Sequence, residues 1–71
     1  MSFKLTQQGI TASEVIQEPR DKDTKVLAFM YSMGKGATVE LEEIQDRIKS
    51  DTEGTIRVMT RLQNTGYVEE I

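Results

Sequence analysis

Seventy-one residues allow one small domain, which on folding buries only about 60% of the surface its unfolded chain exposes. The absence of cysteine and histidine excludes disulfides, thiolate metal sites and imidazole catalysis, so side-chain packing alone must hold the fold. Twelve acids against nine bases give a formal charge of −3, the wrong sign for a protein held to DNA chiefly by bulk electrostatics. The lack of cysteine is compatible with a reducing cytoplasm, which is taken as the expected location. The longest apolar run, Val26 to Tyr31, is too short to span a bilayer or to serve as a secretory core, so no membrane association is expected.

Phe3-Lys4-Leu5-Thr6 alternates apolar and polar residues and predicts a short strand, with Gln7-Gln8-Gly9 as the turn after it. Thr11-Ala12-Ser13-Glu14 has the spacing of a capping box and predicts a short helix running to about Glu18. Pro19 stops that helix, and Arg20-Asp21-Lys22-Asp23 reads as a charged, solvated connection. From Asp23 or Thr24 to Met33, Val26, Leu27, Met30 and Tyr31 recur at helical spacing, with Asp23 as the expected N-cap and Gly34 as the stop.

Gly34-Lys35-Gly36 places a lysine between glycines, but a phosphate loop needs a preceding strand and a wider glycine spacing, so a helix-ending turn is expected. Ala37-Thr38-Val39 can lie extended. Leu41, Ile44 and Ile48 then step along one face of a helix whose other faces carry Glu42, Glu43, Asp46 and Arg47. Lys49-Ser50-Asp51-Thr52 offers three good N-cap types in succession and hands over to a helix predicted over 52–65, so that two helices joined by a turn form a helix-turn-helix.

At about 100° per residue, Thr55, Val58, Met59 and Leu62 share one face of this last helix. Glu53, Arg57, Thr60, Arg61 and Asn64 share the other. Gly66 suits the left-handed end of a helix, and Tyr67-Val68 begins a strand.

Residues 23–71, about two thirds of the chain, resemble a winged helix-turn-helix domain. The most specific fragment is Arg61-Leu62-Gln63-Asn64-Thr65-Gly66-Tyr67-Val68, similar to the xLxxxGyV close of the recognition helix in MarR-type and related bacterial and archaeal regulators. In such families a two-stranded wing follows that helix, whereas here only its first strand follows. Phe3-Lys4-Leu5-Thr6-Gln7-Gln8-Gly9 is similar to the LTxxG that closes the MarR-type wing, with a capped helix after it. The resemblance therefore implies a circularly permuted winged helix: a three-helix core with a short antiparallel sheet of two or three strands. In it the Phe3–Thr6 strand pairs with Tyr67–Ile71 and the wing tip is absent. Residues 1–22 would supply a strand and a short helix, and residues 23–71 the helix-turn-helix core and the C-terminal strand.

The same resemblance implies a transcriptional regulator or accessory factor that places helix 52–65 in the DNA major groove. Arg57, Thr60, Arg61 and Asn64 would face base edges there, arginine suiting guanine and asparagine adenine. Ser50, Thr52 and the adjacent amides could hold a phosphate, with Lys49 adding one contact. Equally, a solvated helix face and ordinary N-capping account for these residue types. Double-stranded DNA bound weakly by the monomer is one expected partner. The alternative is a protein partner met by a winged-helix interaction module that binds no DNA, which the acidic balance favours.

Glu40, Glu42, Glu43, Asp46, Asp51 and Glu53 crowd six acids into fourteen residues and read as a solvated acidic surface, with no metal-loop spacing. Phe29 and Met33 lie off the inner stripe of their helix. This surplus could serve a homodimer contact, but is expected to lie under the N-terminal helix that carries Val15 and Ile16. No nucleophile, base and orienting group assemble at a meaningful spacing, so neither an enzyme nor a cofactor is expected.

Overall fold

A computed structural model describes every residue from 1 to 71. Its elements run β1 (Ser2–Leu5), α1 (Gln7–Glu14), α2 (Lys22–Met33), β2 (Val39–Glu40), α3 (Leu41–Ile48), α4 (Thr52–Thr65) and β3 (Val68–Glu70). The chain is therefore mainly helical with a small sheet, as its patterning predicts.

The sheet is antiparallel with the order β2-β1-β3, so the first strand in sequence is the central one. Phe3 faces Val39 on one side and Glu70 on the other, while Leu5 faces Val68. The expected pairing of the two ends of the chain is found, although β1 spans Ser2–Leu5 and Thr6 belongs to the next element. Backbone bonds from Thr6 N to Tyr67 O at 3.0 Å and from Ile71 N to Ser2 O at 2.8 Å extend the β1–β3 ladder at both ends. Strand alternation turns Phe3 and Leu5 inward and leaves Lys4 outside, 3.3 Å from its cross-strand partner Glu69.

One core of thirteen apolar residues joins the inner sheet face to α2, α3 and α4. Phe3, Met30, Ile44 and Met59 are its largest fully enclosed members. Burying a side chain of this size contributes about 1.5–3 kcal/mol, the main favourable term a chain without cross-links can draw on. The two buried polar side chains are satisfied: the Ser13 hydroxyl donates to Gly9 O at 2.7 Å and the Thr55 hydroxyl to Asp51 O at 2.8 Å.

The N-terminal helix departs from its prediction. It starts at Gln7 instead of Thr11 and ends at Glu14 instead of Glu18. Thr6 is the cap: its hydroxyl oxygen accepts from Gly9 N at 3.1 Å and donates to Gly66 O at 2.5 Å. Thr11 is an interior residue whose hydroxyl donates to Gln7 O at 3.1 Å, and Glu14 turns to the Tyr31 hydroxyl and the Lys35 ammonium. Gly9 is no turn residue but the point where α1 crosses the β3 connection, since a Cβ there would overlap the Tyr67 carbonyl.

Two further expectations are corrected. The N-cap of α2 is Asp21, not Asp23: its carboxylate accepts from Thr24 N at 2.8 Å, and Asp21 N donates to the Thr24 hydroxyl oxygen at 3.2 Å. The surplus apolar surface of α2 does not all lie under the N-terminal segment. Ile16 and Phe29 pack partly against the core, but Val15 is 75% exposed and Met33 49%. Phe29 instead lies under the Arg47 guanidinium of α3, 5.4 Å from its ring centre.

Candidate nucleic-acid interface

The turn between α3 and α4 sets the direction of the polar helix. Lys49 ends α3 in the left-handed region at φ 53°, a conformation that costs a non-glycine residue about 1–2 kcal/mol. Asp51 then starts α4, its carboxylate accepting from Gly54 N at 2.7 Å. Of the three cap-type residues, Asp51 is the one that caps. Ser50 accepts from Lys22 Nζ at 3.2 Å, and the Thr52 hydroxyl donates to Gln45 Oε1 at 3.3 Å. A carboxylate therefore already sits at the amides where a phosphate would be held, with Glu53 beside it in the first turn.

The α4 helix spans the predicted residues. Thr55, Val58, Met59 and Leu62 are buried, and Arg57, Thr60, Arg61 and Asn64 are exposed along the opposite side. Gly66, at φ 91°, ends the helix, its N–H reaching Leu62 O and Gln63 O before the chain enters β3.

The two arginines of this face are not alike. Arg61 forks onto Asp23 of α2, with Nε to Oδ2 at 3.1 Å and Nη2 to Oδ1 at 2.5 Å. These bonds, and then the charge of Asp23, raise the Arg61 pKa above its ordinary value. Arg57 lies 3.6 Å from Glu53 one turn earlier, an exposed pair that solvent screens. Thr60 and Asn64 make no side-chain hydrogen bond to other elements, so their polar groups stay open to a partner.

The seven residues singled out by sequence thus divide. Arg57, Thr60, Arg61 and Asn64 come together on α4, while Lys49, Ser50 and Thr52 lie at the turn before it. Lys22 also reaches this turn, its ammonium donating to the Ser50 hydroxyl, whereas Lys25 and Arg47 line a groove between α2 and α3.

Two shallow grooves flank these residues. One, of about 320 Å³, is lined by Glu42, Gln45, Asp46, Lys49 and Ser50. The other, of about 380 Å³, lies between α2 and α3 and is lined by Pro19, Lys25, Ala28, Phe29, Ser32 and Arg47. No helix is long and apolar enough to cross a membrane. No protein-family model, curated protein or solved structure matches the chain.

Proposed function

We propose that the protein is a small DNA-binding module of the winged-helix kind, circularly permuted, acting as a transcriptional regulator or accessory factor. In this reading α4 enters the major groove. Arg57 and Asn64 read base edges, Thr60 meets a phosphate or a thymine methyl, and Arg61 joins them after leaving Asp23. The observation that carries the reading is the division of α4: one side is buried to the last few per cent, while the other exposes two arginines, a threonine and an asparagine with no element of the chain packed over Thr60 or Asn64. The β1–β3 pairing supports the permuted arrangement, because it supplies the returning strand that the resemblance requires beside the strand leaving α4.

A second reading is favoured by the carboxylates on the same surface. Glu53 beside Arg57 and Asp23 on Arg61 offset both arginines, and the chain carries a net charge of −3. A protein partner would tolerate these acids better than a phosphate backbone would.

An amide chemical-shift titration with duplex DNA at low and moderate salt separates the two. Salt-sensitive shifts concentrated between Ser50 and Asn64 are expected for DNA binding. Silence at low salt would abandon DNA for the protein-interaction reading.

A further inference from the structure

The groove between α2 and α3 stands apart in the sign of its charge. Its lining of Pro19, Lys25, Ala28, Phe29, Ser32 and Arg47 holds two cations and no acid, in a chain whose net charge is −3. Neither cation is engaged: Lys25 and Arg47 form no ion pair, and their side chains make no hydrogen bond within the chain. Lys4, Arg20, Lys35, Arg57 and Arg61 each lie against a carboxylate, and Lys22 donates to Ser50. Lys49 is also unpaired, but it shares its groove with Glu42 and Asp46.

The freedom of Arg47 comes from its packing. Glu43 stands one turn earlier on α3, a spacing at which glutamate and arginine pair, yet the guanidinium lies over the Phe29 ring and forms no ion pair with Glu43. Stacking restrains the planar fork and leaves its N–H edges open to an acceptor. The Ser32 hydroxyl is already committed, donating to Phe29 O at 2.7 Å. The unengaged donors of the groove are therefore the Lys25 ammonium and the Arg47 guanidinium, beside an apolar floor of Ala28, half-buried Phe29 and the Pro19 ring.

This groove and the polar side of α4 do not meet. Asp23 marks the side of α2 nearest α4, since it holds Arg61. At about 100° per residue, Lys25, Ala28, Phe29 and Ser32 all lie roughly 140–240° round the helix from Asp23, on its far side.

We propose that this groove docks an acidic segment of a partner protein, in which a carboxylate engages Arg47 and Lys25 while a neighbouring apolar side chain covers Phe29, Ala28 and Pro19. The charge match selects the occupant: two free cations ask for an anion, and guanidinium and carboxylate pair in a bidentate fork. A shallow groove of about 380 Å³ suits a chain segment laid along the surface, whereas a small molecule is held by enclosure. A nucleic-acid backbone would release few counterions at two cations, would be repelled by the acidic chain around them, and would leave the apolar floor uncovered. The proposal does not depend on what α4 meets, and each surface has its own test.

The probe is a labelled peptide of repeating Asp-Leu-Glu-Phe units, added to the isotope-labelled protein while its amide shifts are followed, with affinity measured by anisotropy. Two control peptides separate the two halves of the contact: repeating Asn-Leu-Gln-Phe lacks the charge, and repeating Asp-Gly-Glu-Gly lacks the apolar side chains. The acidic apolar peptide should shift the amides of Lys25 to Ser32 and of Arg47, and each control should bind about tenfold or more weakly. Lys25→Gln, an exposed change that leaves the Arg47–Phe29 stack in place, should weaken binding about tenfold. Lys4→Gln, which removes the same charge from the sheet, should not. No shift at the highest peptide concentration, shifts confined to other residues, or equal affinity of Lys25→Gln and the parent would each overturn the proposal. So would displacement of the peptide by duplex DNA at the same amides, which would assign the groove to nucleic acid. Shifts there that follow protein concentration without peptide would assign it to a second copy of the chain and overturn it as well.

Discussion

Arg61 and Asp23 show how a single contact can decide what a helix presents. A bidentate guanidinium–carboxylate pair between α4 and α2 keeps the arginine ordered but turns its donors away from an incoming ligand. Asp23→Asn should release it. If α4 meets DNA, the release should raise affinity about two- to fivefold, since exposed pairs are weak, and should leave the thermal midpoint essentially unchanged. Equal affinity would mean that Arg61 does not reach the ligand. Conversely, Arg57→Ala with Arg61→Ala should weaken DNA binding without altering the fold, because both side chains lie off the core side.

Asp21, two residues away, does a different job. The Thr24 hydroxyl and then the Thr24 amide hold its carboxyl below the ordinary carboxylate range. A depressed folded value means that the contribution of Asp21 is complete above the ordinary value and is lost as pH falls through the lowered one. Thr24→Val keeps the amide and removes the hydroxyl, so the Asp21 carboxyl should titrate at higher pH, as carbon NMR of the side chain would register. An unmoved titration would assign the shift to the amide.

At the scale of elements, periodicity carries far for α3 and α4 and fails for α1. The α3 and α4 stripes, from Leu41 to Ile48 and from Thr55 to Leu62, are buried where a period near 3.6 places them. The two cap errors have different causes. Asp21 and Asp23 are equally good caps by type, and only the Thr24 partnership separates them. Gln7-Gln8-Gly9 looks like a turn because glycine is common in turns, yet Gly9 is required by the carbonyl of Tyr67, 58 residues further along the chain and beyond the reach of any local window. Gly9→Ala should therefore destabilise the protein by about 1–3 kcal/mol or more in denaturant unfolding, although alanine is the better helix former. Asp51→Ala should cost about 1 kcal/mol through loss of the α4 cap. The exposed site residues on α4 were legible for the same reason as the buried ones, while the Arg61–Asp23 fork was not, because it joins two helices whose relative rotation no single-helix pattern specifies.

For the whole molecule, the sheet is the part least available to local reasoning. β1 alternates legibly, but its neighbours are β2, some thirty-six residues on, and β3, some sixty-five on. Only the likeness of Phe3–Gly9 to a wing strand suggested the β3 pairing. Through Phe3, which is 1% exposed, β1 also anchors the core. Phe3→Ala should cost about 3–5 kcal/mol, enough to unfold much of a domain at the low end of the usual 5–15 kcal/mol stability range. Because Ser2 and Ile71 are hydrogen-bonded neighbours, a short glycine-rich joint from Ile71 to Met1 with new ends opened at Lys35 should keep the fold, as matching amide dispersion would show.

The central place of β1 also has a consequence in time. During synthesis this strand leaves the ribosome before either of its partners and must wait, with both hydrogen-bonding edges bare, until β2 and then β3 appear. The helices can form meanwhile, but the sheet can close only by a contact of long loop and late arrival, the kind that slows folding. The rejoined variant turns that distant pairing into a hairpin, so in stopped-flow refolding it should fold faster than the parent chain.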